Sequence, residues 1–140
     1  MSIDKKYYVV KNGEINSPKG MNVKLFTLDN NLIGYSNIVS LLYGTDVDSN
    51  FYDLLSSIDK KFDEHDTVYQ YSLNTTEEFR NQGWGYKIKE ECNNINKNNG
   101  IKNILNIVRH DNIPSQKLMK KLGYKKLASS DIRDLLHFEL

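Results

Sequence analysis

The chain has 140 residues, of which 39% are hydrophobic and 26% charged, proportions that suit one polar globular domain with a core of its own. Lys+Arg number 19 against Asp+Glu 18, for a formal net charge of +1, and this balance argues against general nucleic-acid binding, which needs a strong positive surplus on one face. The single cysteine, Cys92, forms no internal disulfide, and the histidines His65, His110 and His137 lack metal-ligand spacing, so neither a disulfide framework nor a zinc site is expected.

The opening residues, Met1-Ser2-Ile3-Asp4-Lys5-Lys6, are polar and carry no signal-peptide hydrophobic region, and no apolar run is long enough to span a bilayer; a cytoplasmic location follows as the expectation. No repeat and no linker divides the chain, so residues 1–140 are expected to form a single domain.

Lys6 to Val10 is a short β-prone run closed by the turn residues Lys11-Asn12-Gly13. Ile15 to Met21, with Pro18 and Gly20, reads as loop. Asn22 to Leu28 alternates apolar and polar residues, Asp29-Asn30-Asn31 is turn chemistry, and Leu32 to Leu42 is a second strand, which together predict a β-hairpin. Phe51, Leu54, Leu55, Ile58 and Phe62 recur at helical spacing, which predicts a helix capped by Ser49 or Asn50 and running to about Phe62. Asp63-Glu64-His65-Asp66 is a polar break, and Val68 to Leu73 is a strand bearing Tyr69 and Tyr71.

Gly83-Trp84-Gly85 opens a helix to about Asn98, with Trp84, Ile88, Cys92 and Ile95 on one stripe and Gly100 as its left-handed stop. Cys92 on that stripe reads as core and not as a nucleophile. Ile101 to Val108 is short, apolar and β-branched, the pattern of a buried strand. Asn112 caps the next helix, Pro114 fits its first turn and Gly123 ends it. Tyr124 to Ala128 and Leu135 to Leu140 are closing strands.

The segment that carries chemistry is Leu73-Asn74-Thr75-Thr76-Glu77-Glu78-Phe79-Arg80-Asn81-Gln82-Gly83-Trp84-Gly85. It joins a strand to a helix start, where backbone N–H groups lack intrahelical partners and the helix dipole is positive. An Arg and two close glycines there make an anion cradle suited to a pyrophosphate. Ile88 stands where a dinucleotide fingerprint needs a third small residue, and no Gly-Lys-Ser/Thr follows, so neither that fingerprint nor a P-loop is present. Taken alone, the turn reads equally well as a packing device.

A second motif, Arg109-His110-Asp111-Asn112-Ile113-Pro114-Ser115 leading to Leu122-Gly123-Tyr124, makes the pattern specific. Arg-x-x-Gly-x-Gly, a buried strand, Asn-x-Pro-Ser and then Leu-Gly-Tyr resembles the GNAT superfamily of N-acetyltransferases, over about Val68 to Tyr124. The resemblance implies a mixed α/β (α+β) fold: a mostly antiparallel central sheet with splayed central strands and helices on both faces. It implies acetyl-CoA as acyl donor and an amine-bearing acceptor, with no nucleic acid, membrane or metal, and with a homodimer as a common state.

By the same resemblance, Leu73, Asn74 and Thr75 pair with the pantetheine arm through their backbones. Arg80, Asn81, Gln82, Gly83, Trp84 and Gly85 hold the pyrophosphate, and Asn112 and Ser115 contact the cofactor from the second motif. The amine attacks the thioester directly, and an N–H near Leu73 or Asn74 steadies the oxyanion. Deprotonating an alkyl amine of pKa about 10.4 at pH 7 costs about 4–5 kcal/mol, while a thiolate of pKa about 8.5 leaves at a cost of about 2; a base therefore matters more than an acid.

The pattern departs from the family at Met119, seven residues after Asn112, where members often carry an acid Tyr. Tyr69 and Tyr71 are then the candidates for the catalytic wall of the acceptor pocket, with Glu64, His65 and Asp66 able to act only through water from a solvated loop. His110 and the helix lysines Lys117, Lys120 and Lys121 read as surface residues. There is no room for the usual helix pair between Val10 and Asn22, and the Asn50–Phe62 segment takes its place as acceptor-site material. A catalytically silent acyl-CoA-binding domain is the alternative that Met119 favours; an interaction domain without cofactor is the third reading.

Overall fold

The computed structural model describes residues 6–140, and the polar stretch 1–5 lies outside the described residues. Three strands come first: β1 (Tyr7–Gly13), β2 (Met21–Thr27) and β3 (Leu32–Ser40), an antiparallel meander with a loop and no helix between the first two. Two short helices follow, α1 (Leu41–Val47) and α2 (Ser49–Ser56), and then β4 (Thr67–Thr75). A single 3₁₀ turn at Glu77–Phe79 leads to α3 (Trp84–Asn98), β5 (Asn103–Arg109), α4 (Ile113–Leu122), β6 (Lys125–Ser129) and β7 (Arg133–Glu139).

The strands make one seven-stranded sheet in the order β1-β2-β3-β4-β5-β7-β6. Only β4 and β5 run parallel, joined by the crossover helix α3, as a parallel connection requires. Period-two alternation sends Val68, Ile104, Val108 and Leu136 into a core under α3 and α4. It sends Tyr69, Leu105 and Leu135 into a second core under α2. Helices thus cover both faces, as the family resemblance implies, and no helix among the described residues is long and apolar enough to cross a membrane.

The region between β3 and β4 departs from the sequence expectation. β3 stops at Ser40 and not Leu42, because the Ser40 hydroxyl accepts the Leu42 N–H and starts α1. The cap of α2 is Asp48, not Ser49 or Asn50: its backbone is extended and Oδ1 accepts the Asn50 N–H at 2.9 Å. The helix also ends early, at Ser56. The hydroxyls of Ser56 and Ser57 donate to the carbonyls of Tyr52 and Leu54, the local competition that weakens serine in helices. Ile58 and Phe62 keep their apolar contact with the second core from irregular backbone, so their helical spacing reflects burial without a helix.

Candidate active site

β4 and β5 pair only through Thr67↔Asn103, Val68↔Ile104 and Tyr69↔Leu105, and then part. On its other side β4 is bulged against β3. The register jumps from Asn37↔Tyr71 to Tyr35↔Asn74, so Ser72 and Leu73 together oppose Ser36. Ser72 takes the left-handed conformation, φ 57, which costs a non-glycine residue about 1–2 kcal/mol and clusters at functional sites. The splay and the bulge open a cleft of about 280 Å³ lined by Gln70 to Leu73 of β4, Asn106 to Arg109 of β5, and Asn112, Ser115 and Met119 at α4. Asp48 and Arg133 line it as well. Through Leu73, Asn112 and Ser115 it runs on into a second cleft of about 420 Å³ over Thr75, Arg80, Asn81 and the start of α3.

That second cleft ends on the unsatisfied amides of a 15-residue helix. Gly83, φ 88, is the N-cap of α3 and supplies no side-chain cap. The turn before it places Asn81 at φ 62, a backbone shape that lets successive N–H groups face one anion. At Gly85 an added Cβ meets only Leu118 Cδ2, at 3.5 Å. The missing side chain therefore answers no packing constraint and leaves the backbone open toward the cleft. Asn112 caps α4 by accepting the Ser115 N–H at 3.3 Å, which sets both residues on the wall the two clefts share.

The FR47-like protein family, a GNAT-related group, matches residues 58–132, the span holding the splayed strands, the cradle and the α4 motif. The chain belongs to this family. No curated protein sequence is significantly similar to it. Among solved structures it is similar to the PaiA N-acetyltransferase of Thermoplasma acidophilum in complex with coenzyme A, at TM-score 0.62 and 16% identity, over 85% of this chain and 60% of that one. The ribosomal-protein-S18-alanine N-acetyltransferase of Escherichia coli superposes at TM-score 0.63 and 12% identity, covering 89% of this chain and 71% of its own. YncA of Salmonella typhimurium, whose structure holds its cofactor acetyl-CoA, gives TM-score 0.60 and 13% identity over 88% of this chain and 66% of that one. The chain thus spans less than two thirds of two of these three, and the likeness fixes the GNAT fold.

Within the GNAT frame the expected cofactor residues sit on one continuous surface: Leu73, Asn74, Thr75, Arg80, Asn81, Gly83, Trp84, Gly85, Asn112 and Ser115 all line the second cleft. Two side chains point elsewhere. The Trp84 indole is buried, edge-on to Tyr7 and Phe79 at 5.7 and 6.3 Å, so Trp84 offers its backbone alone. Gln82 is exposed and its amide donates to the Glu78 carbonyl. Arg80 is exposed with Nε donating to the Thr75 carbonyl at 3.0 Å, which holds its guanidinium beside the cradle.

Tyr69 and Tyr71 form the aromatic wall, their rings stacked at 5.3 Å with Phe51 stacked on Tyr69 at 3.9 Å. The Tyr69 hydroxyl donates to Asp48 Oδ2 at 3.1 Å, and burial, then the adjacent carboxylate, push its pKa far above the ordinary phenol value. Burial raises Tyr71 as well, so both phenols keep their protons at neutral pH. Met119 is buried at the cleft wall and has no ionisable proton to donate. Glu64 and His65 line a separate surface hollow with Ser40 and Tyr43. Asp66 binds the start of β5 through its carbonyl, at the other end of β4 from the bulge. Cys92 is fully buried, and burial pushes its thiol up to about 12.

Sequence reasoning missed Asp48, Asn106 and Ser72. Asp48 is the one carboxylate lining the cleft among the described residues, and its signal was an ordinary one, an Asp preceding a helical run, which placing the cap at Ser49 or Asn50 concealed. Asn106 and Ser72 carry no local signal.

Proposed function

We propose that this protein is an N-acetyltransferase that moves the acetyl group of acetyl-CoA to an amine by direct attack in a ternary complex. The observation that carries the reading is the continuity of two features: the gap where β4 leaves β5, and the uncapped amides opening α3. A strand-like pantetheine arm satisfies backbone groups that the splay leaves unpaired. The pyrophosphate meets the positive helix end beside Arg80, and Asn112 holds the arm between them.

The bulge directs backbone near Leu73 toward the thioester carbonyl, where an N–H stabilises the developing oxyanion. The acceptor enters along Tyr69 and Tyr71, and Asp48 attracts and orients its ammonium. The amine sheds its proton to solvent through the open cleft and its nitrogen bonds the acyl carbon. The C–S bond then breaks, and the thiolate takes a proton from the ammonium so formed or from water. A second reading, a domain that binds acyl-CoA without turnover, draws on Met119 in the family's acid position. Calorimetric titration with acetyl-CoA tests the shared premise. Thiol release over an amine panel separates the two: turnover above the acceptor-free rate supports transfer, and binding without turnover supports the silent domain.

A further inference from the structure

The polar network behind the cleft floor is not needed for any step above. The parallel ladder ends at Tyr69↔Leu105, and the residues next beyond it are Gln70 and Asn106. Here a side chain replaces the ladder: Asn106 Nδ2 donates to the Gln70 carbonyl at 2.7 Å. Its Oδ1 accepts from Lys89 Nζ at 2.8 Å, and Nζ also lies 3.3 Å from the Tyr124 hydroxyl and 5.0 Å over its ring. Gln70 Nε2 in turn donates to Ser36 Oγ at 3.2 Å, and Ser36 Oγ donates to the Tyr71 carbonyl at 3.2 Å. One chain of hydrogen bonds therefore links α3, β5, β4 and β3 at the crotch of the splay.

Lys89 is fully buried with no carboxylate partner among the described residues. Such burial of an ammonium is among the most expensive arrangements a core can hold, and burial indeed lowers its pKa to about 7. An apolar residue at this position packs beside Ile88 and Cys92 without that penalty. The lysine head thus serves the Asn106 amide it holds.

We propose that Asn106, seated from behind by Lys89, is the stop at the deep end of the cleft that restricts the acyl donor to short chains. The inference rests on the reading that acyl-CoA occupies the cleft. On that reading, an acyl group between the splayed strands lies beside the point where β4 and β5 part, which Gln70 and Asn106 line. Asn106 lines the cleft one residue beyond the last ladder pair, Tyr69↔Leu105, and its hydrogen bond to the Gln70 carbonyl crosses the gap where the two strands begin to part. Asn106 is a specificity-determining residue, and Lys89 is a positioning residue acting through it.

The test is calorimetric titration of the full chain with CoA, acetyl-CoA, propionyl-CoA and hexanoyl-CoA, for the wild type, Asn106→Gly, Asn106→Ser and Lys89→Met. In the wild type, hexanoyl-CoA binds at least tenfold more weakly than acetyl-CoA. Asn106→Gly brings the two within threefold, Asn106→Ser moves the ratio the same way by less, and Lys89→Met relaxes it while CoA itself binds as before. Equal affinity for acetyl- and hexanoyl-CoA in the wild type overturns the proposal. So does a ratio unmoved by either Asn106 variant, or a Lys89→Met variant that weakens every ligand including CoA alike, since that is the signature of a purely structural lysine. Failure of CoA to bind the wild type overturns the cofactor reading and this inference with it.

Discussion

Lys89→Met should stabilise the protein most below pH 7 and progressively less as pH rises. The ordinary lysine value is 10.5 and burial lowers that of Lys89 to about 7. Between these two values the unfolded chain binds more protons than the folded one, so stability rises with pH across that window. Below pH 7 both states are protonated and the full penalty of the buried ammonium applies; above pH 10.5 it vanishes. From pH 7 to pH 8.5 the linkage amounts to about 1–2 kcal/mol, or a rise in Tm of roughly 5 °C for a domain of this size.

Neighbouring groups run the other way at higher pH: Cys92 on α3 is pushed up to about 12 and Tyr124 is also raised, both by burial. The difference between wild type and variant isolates the lysine. Methionine keeps the length of the stem but leaves the Asn106 oxygen without its donor, a loss of about 1–3 kcal/mol that offsets part of the gain. The measurement is thermal unfolding by circular dichroism at half-unit steps from pH 6.5 to 9. Parallel pH profiles for the two proteins would refute the claim that a buried lysine with no carboxylate partner among the described residues titrates here.

Three further outcomes are expected. Gly85→Ala removes helix-interior flexibility and meets only an ordinary contact with Leu118, so Tm should hold or rise, by about 0.5–1 kcal/mol in stability. Gly85 lines the second cleft, and if the proposed cradle holds the pyrophosphate, the added methyl should cost at least tenfold in CoA affinity by calorimetry; unchanged affinity would remove the cradle from the site. Gly34→Ala drives a Cβ into the Asn74 carbonyl and Ile88 and should destabilise the protein by about 1–3 kcal/mol in urea titration, the scale of core overpacking; a silent substitution would contradict the close β3–β4 approach. Asp48→Asn keeps a good helix cap but removes the cleft's carboxylate charge, so, on the proposed reading, steady-state assays should show acceptor KM rising at least tenfold with acetyl-CoA KM little changed. Equal loss in both would assign Asp48 a structural role.

Features decided within a few residues were legible from the sequence. The turn Arg80–Gly85, the Asn112 cap with Pro114 behind it and the hairpin turn at Asp29–Asn31 are local chemistry, and each stands where the spacing put it. The segment 41–62 was misread because its apolar spacing records burial against β4, β5 and β7, while Ser40, Asp48, Ser56 and Ser57 decide where the helices begin and end.

What makes the cleft chemical came only from tertiary structure. Asp48 reaches Tyr69 across 21 positions, Lys89 reaches Asn106 across 17, and Asn106 reaches Gln70 across 36. Along the chain these are an aspartate, a lysine and an asparagine among many others. They acquire roles because the parallel ladder stops after Tyr69↔Leu105. Where it stops depends on how two strands and the helix between them pack, which no single stretch of residues encodes.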